Sequence, residues 1–321
     1  VTTNTLLQSL LSGDTRALAR VISLVEDRAP EASEILRHLF PHTGRAQSIG
    51  VTGSPGVGKS SLVDRLAAAY RRESRQIAVV AVDPSSPYTG GAILGDRIRM
   101  NALSTDPGVF IRSMATRGHL GGLAAATADV VQVLDAASRD PILIETVGVG
   151  QDEIDIARLA DISIVVLVPG MGDDVQTLKA GIMEIADIFV INKCDRPGVE
   201  KMERSVLNLL SLAHRPDGWI PPVVKTIATE GTGTEALVEQ IAECHRHFQN
   251  TELKLNKKRE VARQRLMTLL QERLVQSVLD AALPGEQLER VIDQIARRER
   301  DPHEVVDALV SSAGSRNKER A

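Results

Sequence analysis

Seven short, mostly apolar runs set the pattern of this chain, at 49–52, 77–82, 109–112, 142–145, 162–168, 188–192 and 223–227. Their apolar residues fill successive positions instead of every second one. A strand covered on one face alternates, whereas a strand covered on both faces is apolar almost throughout. Between the runs lie stretches with helical spacing, at 60–73, 123–137, 152–159, 175–185, 199–213 and 234–248. The first carries Leu62, Val63 and Leu66 on one face. Strand and helix in regular alternation predict an α/β fold, a mostly parallel sheet flanked by crossover helices.

Both ends of the chain read differently. Asp14 is placed to cap a helix bearing Leu18, Val21, Ile22 and Val25. A second helix is expected over 32–40, stopped near Pro41 and Gly44. Beyond residue 250 the chain is helical and highly charged, with a stripe of Val261, Leu266, Leu269, Leu270, Leu274 and Val278. Leu283-Pro284-Gly285 breaks it, shorter helices are expected at 288–295 and 305–309, and 312–321 is expected to be disordered. The expected organisation is an N-terminal helical extension (1–45), a central α/β domain (46–249) and a C-terminal helical arm (250–321). The arm's stripe has three readings: packing on its own domain, pairing with a second copy, or binding a client.

The chemistry starts where the first strand ends. Gly53-Ser54-Pro55-Gly56-Val57-Gly58-Lys59-Ser60, followed by Ser61, is G-x-x-x-x-G-K-S between a strand and a helix. That context marks a phosphate loop and makes the fold a P-loop NTPase. Glycines let backbone N–H groups turn inward around an anion, and the helix start adds partial positive charge. Lys59 is expected to reach the β- and γ-phosphates, and the Ser60 hydroxyl to hold Mg²⁺.

Asn192-Lys193-Cys194-Asp195 narrows the ligand to GTP or GDP. Guanine presents N1–H and N2–H along one edge, and the Asp195 carboxylate accepts both. Adenine has an acceptor at N1, so the carboxylate would face an unpaired lone pair. Asn192 is expected to bond other polar positions of the base, with the Lys193 stem lying along it. Ala228, Thr229, Glu230 and Gly231 follow the last strand and are candidates for backbone contacts to the base, or a plain strand-to-helix turn.

Three carboxylates stand at or near strand ends as oxygen ligands for Mg²⁺: Asp83, Asp96 and Glu145. Asp83 also reads as an Asx turn before Pro84, and Asp96 as a solvated loop charge. Glu145 opens Glu145-Thr146-Val147-Gly148, a segment suited to sensing the γ-phosphate. Gln151 is a candidate for orienting water, or a polar residue at a helix start. Asp173, Gln176 and Lys179 follow the Pro169-Gly170 break as a candidate mobile loop or a solvated pair. Arg97, Arg99, Arg112 and Arg117 are cations on the phosphate side.

Composition removes other classes. The 321 residues carry a net charge of −4, with Trp219, Tyr70, Tyr88 and four Phe as the aromatics. Neither a basic footprint nor a stacking platform for nucleic acid is present. No run reaches the ~18 apolar residues of a membrane span. Cys194 and Cys244 have no metal-ligand spacing, and with no secretory signal read they fit a reducing, cytoplasmic setting.

With these residues assembled, the chain resembles the MeaB/ArgK family of methylmalonyl-CoA mutase-associated GTPases. The resemblance rests on the phosphate-loop segment 53–61, Val82-Asp83-Pro84-Ser85-Ser86, the segment 112–118, Glu145 to Gln151, Pro169-Gly170-Met171-Gly172-Asp173 and Asn192-Lys193-Cys194-Asp195. It implies a homodimer, formed through the C-terminal arm, that hydrolyses GTP slowly. It implies association with adenosylcobalamin-dependent methylmalonyl-CoA mutase or a related acyl-CoA mutase, gating cofactor loading and protecting the mutase. It also implies Mg²⁺ on Ser60, Asp83, Asp96 and Glu145, and three switches, around 83–99, 145–151 and 169–179. Asp173 and Lys179 fall in the third, Lys179 on a lysine tied to partner-stimulated hydrolysis. No D-x-H-x-x-G cobalamin motif occurs. A nickel-enzyme metallochaperone and a transport-system protein kinase are the alternatives. The first points to Cys244, His245 and His247, and the second lacks H-R-D and D-F-G segments.

Overall fold

The computed structural model describes residues 2–83, 103, 105–115, 122–146, 159–170, 185–212, 215, 217–249, 252–283, 285 and 287–318. The seven apolar runs are seven strands: β1 (Ser48–Thr52), β2 (Ile77–Asp83), β3 (Val109–Ala115), β4 (Ile142–Glu145), β5 (Ile162–Leu167), β6 (Ile188–Ile191) and β7 (Val223–Lys225). They form one parallel sheet in the order β3-β2-β4-β1-β5-β6-β7. β1 therefore runs down the middle, with Val51 in register with both Glu145 and Ile164.

Covering on both faces explains why the strands read as continuous apolar runs. One face packs Ile49, Val51, Ile77, Val79, Ile164 and Val190 against α4 (Lys59–Arg72) and α7 (Thr234–Gln249). On the other face Ala78, Val80, Ile142 and Ile144 meet α5 (Gly122–Ala136) and the three N-terminal helices, α1 (Thr3–Leu11), α2 (Thr15–Glu26) and α3 (Ala32–Leu39). Farther along that face Val165, Leu167, Phe189 and Ile191 meet Val199, Met202 and Val206 of α6 (Val199–Leu212). Each fully buried Leu, Ile or Val contributes about 1.5–3 kcal/mol.

The N-terminal helices share their core with the sheet. Leu18, Val21, Ile22 and Ile35 have almost no exposed surface. Asp14 caps α2 as expected, accepting from the Arg16 and Ala17 amides at 2.7 and 3.2 Å. The helices expected at 152–159 and 175–185 fall almost wholly outside the described residues.

Two compact units emerge, Val1–Val261 and Ala262–Ala321. The second is helical, built from the later part of α8 (Glu252–Ala282), α9 (Gln287–Ala296) and α10 (Pro302–Lys318). Leu266, Met267, Leu270, Leu274, Val275, Ile292, Val306 and Val310 are exposed apolar residues within it. The disorder expected from 312 onward is corrected as far as Lys318, to which α10 continues, and 319–321 lie outside the described residues. Asp301 accepts from the His303 and Glu304 amides and starts that helix. Once started, a helix adds residues at little further cost, even polar ones.

Candidate nucleotide site

Parallel strands deliver their C-terminal ends to one edge of the sheet, where open α/β folds bind ligands. The phosphate loop leaves β1 there, Glu145 ends β4, and Asn192 follows β6. Asp83 ends β2 two residues past Ala81, which is in register with Glu145. Thr146 continues past β4, its hydroxyl 3.0 Å from that of Thr52 and its amide on the Val51 carbonyl at 3.1 Å. The loop entrance and the segment after Glu145 are thereby tied together.

Gly53 has φ +144°, and a Cβ on it would collide with the Val166 carbonyl. The loop's first residue must be glycine because β5 runs against it. Gly58 has φ +97°, and a Cβ there would strike the Asn192 amide nitrogen. Lys59 is buried, its ammonium donating to the Gly53 and Ser54 carbonyls at 2.6 and 3.1 Å. Those bonds hold a cation over the loop. The Ser60 hydroxyl donates to Glu145 Oε1 at 2.5 Å, a charge-assisted bond between two elements expected to share a metal. Ser61 and Pro55 are exposed, and Val57 is buried. One turn beyond Ser60, burial pushes the Asp64 carboxyl up, and Arg65 acts in the opposite direction.

Asn192 differs from its expected role. Its Nδ2 donates to the Val57 carbonyl at 2.8 Å. Its Oδ1 accepts from the Thr226 hydroxyl at 3.1 Å and the Ala228 amide at 3.0 Å. The side-chain oxygen is committed to the protein, and a single amide hydrogen is left for a ligand. Lys193 has φ +58° and donates to the Gly56 carbonyl at 2.7 Å, over the phosphate loop. Asn192 and Lys193 fasten the phosphate loop to the candidate base-reading segment. Asp195, in contrast, is exposed at the rim. Cys194 points inward, its thiol 2.9 Å from the Ile191 carbonyl, and burial raises its pKa. The variable position of N-K-x-D is thus a packing residue.

The Ala228 amide, a candidate for the base, is occupied by Asn192, whereas the Thr229 amide is in none of the described hydrogen bonds. A residue the sequence did not flag reaches this turn. Arg65, on α4, donates Nε to the Ala228 carbonyl at 2.9 Å and an Nη2 hydrogen to the Thr229 carbonyl. Nothing in the spacing distinguishes Arg65 from a solvated helical arginine. Arg112, grouped with the phosphate-side cations, is instead tied to α2. Its Nε donates to Glu26 at 3.1 Å, and its Nη2 bonds both Glu26 and Ser23. That placement is corrected because Glu26 is buried and needs a cation.

Asp96, Gln151, Asp173, Gln176, Lys179, Arg97, Arg99 and Arg117 lie outside the described residues. Among described residues no group of three or more His, Cys, Asp or Glu could hold a metal. Cys244 is buried in the core, and the His247 ring lies 4.9 Å from that of Trp219, tilted by 44°. Those neighbours therefore face different surroundings. No helix among the described residues is long and apolar enough to cross a membrane.

Sequence relationships agree with this geometry. Residues 18–282 match the family described as methylmalonyl-CoA mutase-associated GTPase MeaB. The chain is 47% identical over 308 residues to a protein of Pyrococcus abyssi assigned to the GTPases, covering 95% of each. It is 35% identical to the GTPase ArgK of Escherichia coli, covering 90% of this chain and 88% of that one. The methylmalonic aciduria type A homolog of Caenorhabditis elegans is 37% identical over 240 residues, covering 69% of this chain and 60% of that one. A crystal structure of an LAO/AO transport system kinase superposes with TM-score 0.69 and 25% identity, covering 98% of each. The chain belongs to the MeaB family of GTPases, P-loop proteins that bind guanine nucleotide.

Proposed function

We propose that this protein hydrolyses GTP to report nucleotide state to an adenosylcobalamin-dependent acyl-CoA mutase, methylmalonyl-CoA mutase or a close relative. In this reading it gates cofactor loading and protects the mutase. The observation that carries it is the bonding of Asn192 to Val57 on one side and Ala228 on the other. A phosphate loop wired to the base-reading turn suits a protein in which occupancy and phosphate count act on one rigid unit. The family description names the mutase.

The residues fit Mg²⁺. Ser60 and Glu145 set two hard oxygen donors 2.5 Å apart, and Asp83 ends the strand beside β4. With Asp96 they form the proposed ligand set. Bound there, the ion would neutralise charge on the β- and γ-phosphates. Gly53, Ser54, Pro55, Gly56, Val57, Gly58, Lys59, Ser60 and Ser61 would surround the phosphates. Lys59 would exchange its loop carbonyls for phosphate oxygens, keeping a buried cation paired throughout. Asp195 would take the guanine N1–H and N2–H, with Asn192, Lys193, Ala228 and Thr229 shaping the rest of the base site. Asp173 and Lys179 would couple hydrolysis to the partner.

The proposed organisation is a G domain at 46–249, an N-terminal extension at 1–45 and an arm at 250–321 through which two cytoplasmic copies pair. The exposed apolar residues of α8 to α10 support the pairing. A GTPase assay with and without purified mutase tests the reading. We expect the mutase to raise turnover, and Lys179→Ala to keep nucleotide affinity while losing about tenfold of that stimulation. No complex and no stimulation would remove the mutase from the proposal.

A further inference from the structure

We infer that Arg65 is a positioning residue for base recognition, aiming the Thr229 amide at the six-position oxygen of guanine. The inference rests on the guanine site above and adds a side chain from the phosphate-loop helix to it. Residues 227–231 form a tight turn in which the Glu230 and Gly231 amides both return to the Ile227 carbonyl. The carbonyls of Ala228 and Thr229 point to one side, because a single guanidinium takes both. In a trans peptide the N–H points opposite to the C=O of the same unit. With the Ala228 carbonyl held by Arg65, the Thr229 N–H faces away from α4. The preceding amide, that of Ala228, faces Asn192 and bonds its Oδ1. Successive amides of a tight turn project in the same sense, so the Thr229 amide lies toward the side from which N-K-x-D approaches. That amide takes no part in the turn's own hydrogen bonds.

The chemistry selects a ligand atom. Asp195 accepts, so it reads the donor edge of the base. An N–H donor beside it reads an acceptor, and guanine carries a carbonyl oxygen next to N1–H. Arg65 is suited to the task because its planar fork spans two neighbouring carbonyls, which a lysine cannot do. The turn lies beside the arginine: a Cβ on Gly231 would be in ordinary van der Waals contact with Arg65 Cδ, at 3.9 Å. Since Arg65 lies six positions after Lys59 on one helix, a shift of that helix would move the base-reading amide with it.

Three nucleotides separate this role from general bracing: GDP, inosine diphosphate and 2-aminopurine riboside diphosphate. The first two carry the six-position oxygen and the third does not. Dissociation constants are measured by calorimetry for the intact protein, Arg65→Met and Arg65→Lys. We expect Arg65→Met to weaken GDP and inosine diphosphate by about tenfold each, while the 2-aminopurine nucleotide changes by less than about twofold. Arg65→Lys, able to hold one carbonyl, should fall between. Equal losses for all three nucleotides, or no loss for any, would overturn the proposal. Should Arg65→Met fail to fold, the same criterion applied to Arg65→Lys decides. If the unaltered protein does not prefer GDP over ADP, the guanine assignment itself fails, and that is read independently of Arg65.

Discussion

The two ends of the sheet use the same residue types to opposite effect. At the N-terminal ends of the strands, charged groups are paired with one another or with backbone amides. Arg71 meets Asp106 at 2.9 Å, and Arg75 meets Asp140. Arg215 bridges Asp187 and Asp217 at 3.0 and 2.7 Å, while Asp187 also accepts the Ser163 amide. Asp161 accepts both the amide and the hydroxyl of Ser48. These bonds tie the start of one strand to the start of another. At the C-terminal ends Lys225 still meets Glu203 at 2.7 Å, but around the candidate nucleotide site Lys59 and Lys193 bond loop carbonyls and Asp195 stands exposed. A carbonyl is a weaker partner for an ammonium than a carboxylate or phosphate. The starts of the strands are therefore tied by ion pairs, whereas the bond of Lys193 at the candidate site runs to a loop carbonyl.

This contrast is open to attack by substitution. Asp195→Asn would remove the proposed acceptor for two guanine donors and place an amide there instead. GTP affinity should fall by at least about a thousandfold, and xanthosine triphosphate should gain, with the melting temperature unchanged. Equilibrium binding and a thermal melt together check it; a large drop in stability would blur the distinction between the ends.

Asp187→Ala should do the reverse. Asp187 is almost wholly buried, and its loss leaves Arg215 and the Ser163 amide short of an acceptor. Stability should fall by about 3–5 kcal/mol in denaturant titration, with GDP affinity retained. A mainly functional loss would mean that the lower end also shapes the site.

The smallest effect concerns acid. Burial acts to raise the Asp217 carboxyl, but the Arg215 bond and the Trp219 amide outweigh it and hold it below the usual carboxylate range. A depressed folded pKa adds stability that is fully present above the unfolded value, about 3.9, and is lost as pH falls through the folded one. Asp217→Asn should therefore be less stable than the parent at neutral pH but lose less between about pH 4 and pH 2. Parallel acid profiles for the two proteins would rule out that contribution.

Much of this was legible along the chain. The strands from Ser48 to Lys225 were readable because burial on both faces leaves few polar positions to interrupt them. Asp14, Gly58 and Lys59 were readable because caps and phosphate loops need particular residues at fixed local offsets. Arg65 was not, since its two acceptors lie more than 160 positions away in sequence. Asn192 was readable as part of a motif, but its bonds to Val57 and Ala228 depend on three separate strand ends meeting. Arg112 was misplaced for the same reason: its partner, Glu26, belongs to a helix far earlier in the chain.

By itself, then, the sequence determined the strands and most of the described helices, the phosphate loop and the family, and it singled out Asp195 as the candidate carboxylate for guanine. Local spacing carries that information, because helix and strand periods and the phosphate loop involve neighbours only. Tertiary structure alone decided the strand order, which sets β1 between β4 and β5 and brings Glu145 onto Ser60. It also decided which polar groups are locked and which remain available to a ligand. Hydrogen-bond partners distant in the chain become definite only once the sheet has brought its strand ends together.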